Sequence, residues 1–146
     1  MKTAMLVVAT LMVAGQAAAQ TAVACDWRAR ASVLAEPWSE NTATFANGKV
    51  RLALLDTGEP VSGAYHILIL SPPYGELGDR QCRALSLGKE IGFAGLDFST
   101  LESAYDPETG LTFTMDAKRY DSGAFLPARL RFTLNQATGQ IRGTLR

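Results

Sequence analysis

The C-terminal end of the chain alternates apolar and polar residues so regularly that a β-hairpin fits it best. Leu130, Phe132 and Leu134 are separated by an arginine and a threonine, and residues 141–145 repeat the pattern. A period of two places one face of each strand on a core and the other face in water. In the register that pairs the inward-facing positions of the two strands, Phe132 lies opposite Gly143, where an aromatic ring can cover the bare glycine.

Short turn sequences between strand-like segments indicate further hairpins. The strongest is Asn47-Gly48, because an Asn-Gly pair flanked by strand-forming residues is typical of a two-residue hairpin turn. Other turns are predicted at Asp56–Pro60, Gly88–Glu90, Asp106–Gly110 and Ala137–Gly139.

One segment differs from these half-buried strands. Residues 64–70 are apolar on both faces apart from His66, which indicates a central strand covered on both sides. Together the patterns predict an all-β fold, a single antiparallel β-sandwich or barrel of about seven to nine short strands.

The N-terminus has the pattern of a secretory signal peptide. Lys2 precedes an almost unbroken apolar run over residues 4–14, and small residues at 17–19 offer a cleavage site. The run is too short to cross a bilayer. We therefore predict a signal peptide over residues 1–19, an exported β-rich domain over residues 20–146 in the periplasm or secreted, and no transmembrane segment after cleavage.

The two cysteines, Cys25 and Cys82, both follow the predicted cleavage site. In an oxidising compartment two such cysteines usually pair, so we predict a Cys25–Cys82 disulfide. An alternative arises from residues 22–25, which faintly resemble the motif of a bacterial lipoprotein whose cysteine is lipidated. Lipidation of Cys25 would leave Cys82 without a partner.

Composition excludes several classes of function. The chain has 14 basic and 14 acidic residues, and this neutrality argues against a nucleic-acid-binding protein. His66 is the only histidine, so a zinc site is hard to build and we predict no metal and no cofactor. We interpret His66 as a core or edge histidine with one hydrogen bond, and we assign no catalytic residue.

Carboxylates are concentrated in the middle of the chain, at Asp97, Glu102, Asp106, Glu108, Asp116 and Asp121. The sequence around Pro107 lacks the regular spacing of a calcium loop, and a hairpin turn explains it. A pair of catalytic carboxylates has no sequence signature of its own, so a small carboxylate-based enzyme stays an alternative.

Four arginines follow the last acid, Asp121; they are Arg129, Arg131, Arg142 and Arg146. In the hairpin register above, all four share the solvent face. Facing arginines repel one another, so an acidic group should lie nearby. A neighbouring strand that carries Asp116 or Glu102 is one source. The other is an anionic partner such as a lipid headgroup, a polysaccharide or an acidic protein surface.

A second candidate contact surface is the segment 71–79, predicted as an extended surface loop. Its residues Pro72, Pro73, Tyr74 and Leu77 place an aromatic and an aliphatic side chain on a proline-stiffened backbone. If the two side chains are exposed they make a contact surface of low entropy, and otherwise they fold back onto the core.

Several stretches resemble small exported proteins of alphaproteobacteria. They are residues 45–56, with Asn47-Gly48 at the turn, and residues 70–73, 81–83 and 92–98. The similarity covers most of the mature chain. It implies an exported domain with a disulfide and no catalytic residues.

The leading functional hypothesis from the sequence is a non-enzymatic periplasmic β-domain that binds a protein or an anionic envelope component. The arginine face and the 72–78 loop are its expected contact surfaces. A small-molecule carrier with a lipocalin-like barrel is one alternative, and the carboxylate-based enzyme is the other.

Overall fold

The computed structural model describes residues 19–146. The predicted signal peptide, residues 1–19, lies outside the described residues except for Ala19, which begins the first strand.

The described chain forms nine antiparallel strands and no α-helix. They are β1 Ala19–Ala24, β2 Thr42–Phe45, β3 Val50–Asp56, β4 Tyr65–Tyr74, β5 Arg80–Ser86, β6 Gly95–Asp106, β7 Gly110–Asp121, β8 Ala124–Leu134 and β9 Ile141–Leu145. All nine belong to one curled sheet, a half-barrel in the order β2-β3-β4-β5-β1-β9-β8-β7-β6. The prediction of an all-β antiparallel fold is confirmed.

Strand β1 joins the two halves of this sheet. Residues 21–24 pair with β5, whereas Ala19 and Gln20 pair with β9. We call β2–β5 the first half and β6–β9 the second half. Gly143 of β9 is required by this junction, because a side chain there would begin within 2.8 Å of the Gln20 Cβ atom. The predicted pairing of Phe132 with Gly143 is confirmed.

The hydrophobic core lies between the inner faces of the two halves. Phe113 of β7 stacks on Phe132 of β8 with ring centroids 5.0 Å apart, and Phe45 of β2 meets Phe113 edge-on at 4.9 Å. The first half contributes Leu52, Leu54, Ile67, Ile69 and Leu85, all buried. The alternation that predicted these strands therefore places their apolar side chains together.

The outer face of the first half is covered by residues 25–35, which we call the cover segment. It contains two short 3-10 turns, Trp27–Ala29 and Ala31–Val33. Val33 packs on Leu55 and Leu68 of β3 and β4 in a second buried cluster. Since β4 is also buried on its inner face, the prediction of a strand covered on both sides is confirmed.

The disulfide between Cys25 and Cys82 is formed and fixes the start of the cover segment to β5. The predicted pairing is confirmed, and no cysteine among the described residues is free. The lipidated alternative at Cys25 requires this bond to be absent.

Two predictions about connections are wrong. The predicted loop at 71–79 is shorter, because β4 continues through Pro72 and Pro73 to Tyr74, with an irregularity in the ladder between Ser71 and Tyr74. Proline lacks the N–H that a regular ladder uses, and a bulge tolerates this loss. The predicted hairpin at Gly88–Glu90 does not form, since β6 crosses to the far edge of the sheet instead of pairing with β5.

Candidate functional site

The outer face of the second half carries the predicted arginines. Main-chain hydrogen bonds of 2.7 and 3.1 Å join Arg129 to Arg146, and Arg131 pairs with Thr144 while Arg142 pairs with Thr133. The predicted facing and diagonal arrangement is therefore present. All four arginines are exposed.

Arg129 is bound by acidic groups on the neighbouring strands. Its Nη1 donates to Asp116 Oδ1 at 2.5 Å, and its Nη2 donates to Glu102 Oε2 at 3.0 Å and to Thr114 Oγ1 at 3.3 Å. The expectation that Asp116 or Glu102 supplies the compensating charge is confirmed for this arginine. Because the group is exposed to solvent, it adds no more than about 1 kcal/mol per pair to stability.

The other three arginines differ from Arg129. Arg131, Arg142 and Arg146 form no ion pair with any residue of the described chain, 19–146. We call these three residues the arginine patch. Arg142 lies on β9 and Arg146 directly follows that strand, so their Cα atoms are about 13 Å apart, and Arg131 lies on the adjacent strand β8. The patch is therefore an exposed surface with threonines between three guanidinium groups that form no ion pair.

The predicted contact loop forms the tip of the β4–β5 hairpin. Tyr74 is 51% exposed and Leu77 is 96% exposed, so neither side chain folds back onto the core. The hairpin touches the β8–β9 turn, where Gln81 Nε2 donates to the carbonyl of Gly139 at 3.0 Å. On the other side, Arg80 Nη1 donates to the carbonyl of Gly48 at 3.3 Å. The structure thus joins three hairpin tips at one end of the half-barrel.

His66 is buried under the cover segment. It is 2% exposed, and its Nδ1 lies 2.7 Å from Ser86 Oγ on the neighbouring strand. Burial, with a smaller effect from the nearby Arg28 guanidinium, lowers the pKa of His66 to about 4. The interpretation of His66 as a core histidine with one hydrogen bond is confirmed. Ser86 is fully buried, so the pair is closed to a substrate.

Arg28 links the cover segment to the connection between β5 and β6. Its guanidinium pairs with the Asp26 carboxylate, and its Nη1 donates to the carbonyl of Lys89 at 2.6 Å. The hydrogen bonds from Arg28 lower the pKa of Asp26 to about 2. A buried cation with a carboxylate and a carbonyl partner is a structural clamp.

A cleft of about 770 Å³ opens between the two halves of the sheet, on the side away from their junction at β1, and we call it the seam cleft. Leu54 and Tyr65 line it from the first half, and Leu96, Phe98 and Phe125 line it from the second. Further lining residues are Glu40, Asn41, Asp97, Asp116, Ala117, Lys118, Pro127 and Ala128.

Sequence reasoning missed this cleft. Its walls come from five separate strands and one turn, so no local pattern marks them. The only sequence signal is that small alanines stand at the inward positions 117 and 128 of long strands, where a larger residue would fill the space.

The interior of the half-barrel is filled rather than hollow. Phe93, Phe113, Phe132 and Met115 are fully buried between the two halves. A lipocalin-like carrier needs a central cavity, and side chains occupy that position here. The seam cleft, in contrast, is open to solvent.

Several of the mid-chain carboxylates are engaged in ion pairs or hydrogen bonds. Glu102 and Asp116 share Arg129, and Asp97 accepts hydrogen bonds from the main-chain N–H and the hydroxyl of Ser99 at 3.1 and 2.6 Å. Asp106 Oδ1 accepts from the main chain of the β6–β7 turn, as a turn aspartate does. Within residues 19–146 no three histidine, cysteine or acidic side chains are grouped to hold a metal ion.

The same described range contains no helix that is long and apolar enough to cross a membrane. Comparison of the chain with protein-family models, with curated proteins and with solved structures finds no match.

Proposed function

We propose that this protein is an exported, non-catalytic β-domain that binds an anionic component of the cell envelope through its arginine patch. The partner presents phosphate or carboxylate groups at a surface, and Arg131, Arg142 and Arg146 bind them. The proposal keeps the role expected from the sequence and narrows the surface to three arginines.

The observation that carries the proposal is the contrast among arginines on one face. Arg129 is neutralised by two carboxylates, whereas the three arginines of the patch have no acidic partner among residues 19–146. Guanidinium groups bind carboxylate and phosphate with two parallel hydrogen bonds, which gives geometry as well as charge. Three such groups on one exposed face of the sheet suit a repeating anionic surface.

The distribution of charge favours attraction of an anionic partner to the arginine patch rather than to the whole molecule. The whole chain is formally neutral, so a cationic partner and an anionic partner are not distinguished by net charge. Attraction comes from the patch alone and acts within about a Debye length, roughly 8 Å at physiological salt. Binding should therefore weaken as ionic strength rises.

The surroundings of the disulfide support export. Disulfides persist in oxidising compartments such as the periplasm and are rare in the cytosol. The Cys25–Cys82 bond lies in the structured part of the chain and secures the cover segment. This is consistent with the signal peptide predicted for residues 1–19.

The test measures binding of residues 20–146 to three probes: vesicles containing phosphatidylglycerol, vesicles of phosphatidylcholine alone, and soluble polygalacturonate. We expect binding to an anionic probe but not to the neutral vesicles. Binding to phosphatidylglycerol alone identifies a lipid headgroup, and binding to polygalacturonate alone identifies a polymer. Reversing the patch with R131E/R142E should weaken that binding at least about tenfold.

A matched control is K49E/R51E, which reverses two exposed charges on the β2–β3 hairpin of the other half. We expect the control to change affinity less than about twofold. Equal losses in the two double variants, or binding that is independent of salt, would overturn the proposal. Circular dichroism of each variant shows that the fold is retained.

A further inference from the structure

The seam cleft has the size and the lining of a ligand site. Its volume of about 770 Å³ lies within the range of small-molecule sites, which are mostly apolar with a few polar groups. Leu54 comes from β3, Leu96 and Phe98 come from β6, and Tyr65 and Phe125 add two further aromatic rings. Unlike the filled interior, this space is open to solvent.

The cleft is lined by more acidic than basic side chains. Glu40 and Asp97 form no ion pair with any residue between 19 and 146, whereas Asp116 is already paired with Arg129. Lys118 is the one lysine or arginine among the described residues that line the cleft. With Asp116 compensated, two carboxylates free of any ion pair and one ammonium group line the cleft, which therefore carries a net negative charge.

The aromatic rings favour the same kind of ligand. A cation placed over an aromatic ring is attracted by the negative face of the ring, and the attraction grows when the site is partly desolvated. Tyr65 and Phe125 line the same cleft as the two free carboxylates. An anion, in contrast, meets two like charges there.

We propose that the seam cleft binds a small molecule with an apolar body and a cationic amine group. The apolar body packs between Leu54, Leu96 and Phe98, and the amine is held near Glu40 and Asp97. The site is separate from the arginine patch, so each proposal can fail without the other.

The experiment titrates the ¹⁵N-labelled protein, residues 20–146, with three probes that share one alkyl chain: hexyltrimethylammonium, hexanol and hexanesulfonate. We expect the cation to shift the amide signals of residues 94–99 and 116–118 and to bind about tenfold more tightly than the sulfonate. Hexanol should bind with intermediate affinity.

The variant E40Q/D97N keeps the shape of the cleft and removes the two free charges. It should reduce the preference for the cation over the sulfonate to less than about threefold. The matched control, E76Q/E108Q, removes two exposed carboxylates from hairpin turns at the opposite end and should leave the preference unchanged.

A second variant tests the space itself. Ala128→Phe places a ring in the cleft and should abolish the binding of both the cation and the alcohol. If this variant does not fold, E40Q/D97N and its control E76Q/E108Q still test whether the cleft prefers a cation. The proposal is overturned if the sulfonate binds as tightly as the cation, if the shifted signals lie outside the cleft, or if E40Q/D97N keeps the full preference.

Discussion

The outer faces of the two halves of this sheet differ, because one is covered by another segment and the other is exposed to solvent. The outer face of β3–β5 is buried beneath the cover segment, where Leu55 and Ser86 are fully inaccessible. The outer face of β7–β9 has no covering element among the described residues and presents threonines and arginines. The same kind of strand is therefore buried on its outer face in one half and exposed to solvent there in the other, and three predictions test that difference.

The largest effect is expected from removing the bond that secures the cover. The variant C25S/C82S opens a loop of 57 residues, which on the chain-entropy estimate lowers the free energy of unfolding by about 4 kcal/mol. Urea denaturation of the variant and of the wild type measures this loss. An unchanged midpoint would show that the cover segment needs no covalent attachment.

The second prediction compares equivalent positions on the two outer faces. Leu55→Ala, on the covered face, should lower the free energy of unfolding by about 2–5 kcal/mol because it leaves a cavity. Thr114→Ala, on the bare face, should change it by no more than about 0.5–1 kcal/mol. The comparison between the halves fails if the two variants lose similar stability in the same denaturation experiment.

The third prediction concerns pH and the histidine beneath the cover. The pKa of His66 is about 4 in the folded protein against 6.5 in a free side chain. The unfolded chain therefore takes up the proton first, and stability falls as pH drops from about 6.5 to about 4, by up to about 3 kcal/mol. Unfolding free energies measured at several pH values should show this slope in the wild type.

The control for that slope is His66→Gln, which removes the titrating group and should flatten the curve between pH 6.5 and 4. Asp26 affects the stability in a lower pH range, because its pKa in the folded protein, about 2, lies below its ordinary value of 3.8. Its contribution is present above pH 3.8 and is lost towards pH 2. A slope that persists in the glutamine variant above pH 4 would assign it to another group.

Local patterns predicted the parts of this fold that depend on near neighbours. The Asn47-Gly48 turn joins β2 to β3, and the register of β8 with β9 is the one expected from alternation. The acidic partners of Arg129 were also among the expected ones, because Asp116 lies on the strand that precedes β8. In each case the interacting residues are close in sequence, so the period of the side chains specifies which face they share.

The local sequence was a poorer guide to the connections between distant segments. Glycine at residue 88 with polar neighbours favours a turn in isolation, yet β6 leaves β5 and pairs with β7 at the far edge. The prolines at 72 and 73 favour a loop, but the pairing of Tyr74 with Arg80 extends the strand around them. Tertiary contacts supply enough free energy to override such weak local preferences.

Side-chain period and residue type were enough to predict the class of the fold, the double covering of β4, the bare outer face of β8 and β9, and the pairing of two cysteines. Both are properties of short segments. The position of β1 between the two halves, the three arginines left without acidic partners and the walls of the seam cleft became visible only in the folded sheet. Those features depend on which distant strands become neighbours, and that choice is the sum of many weak contacts across the whole sheet.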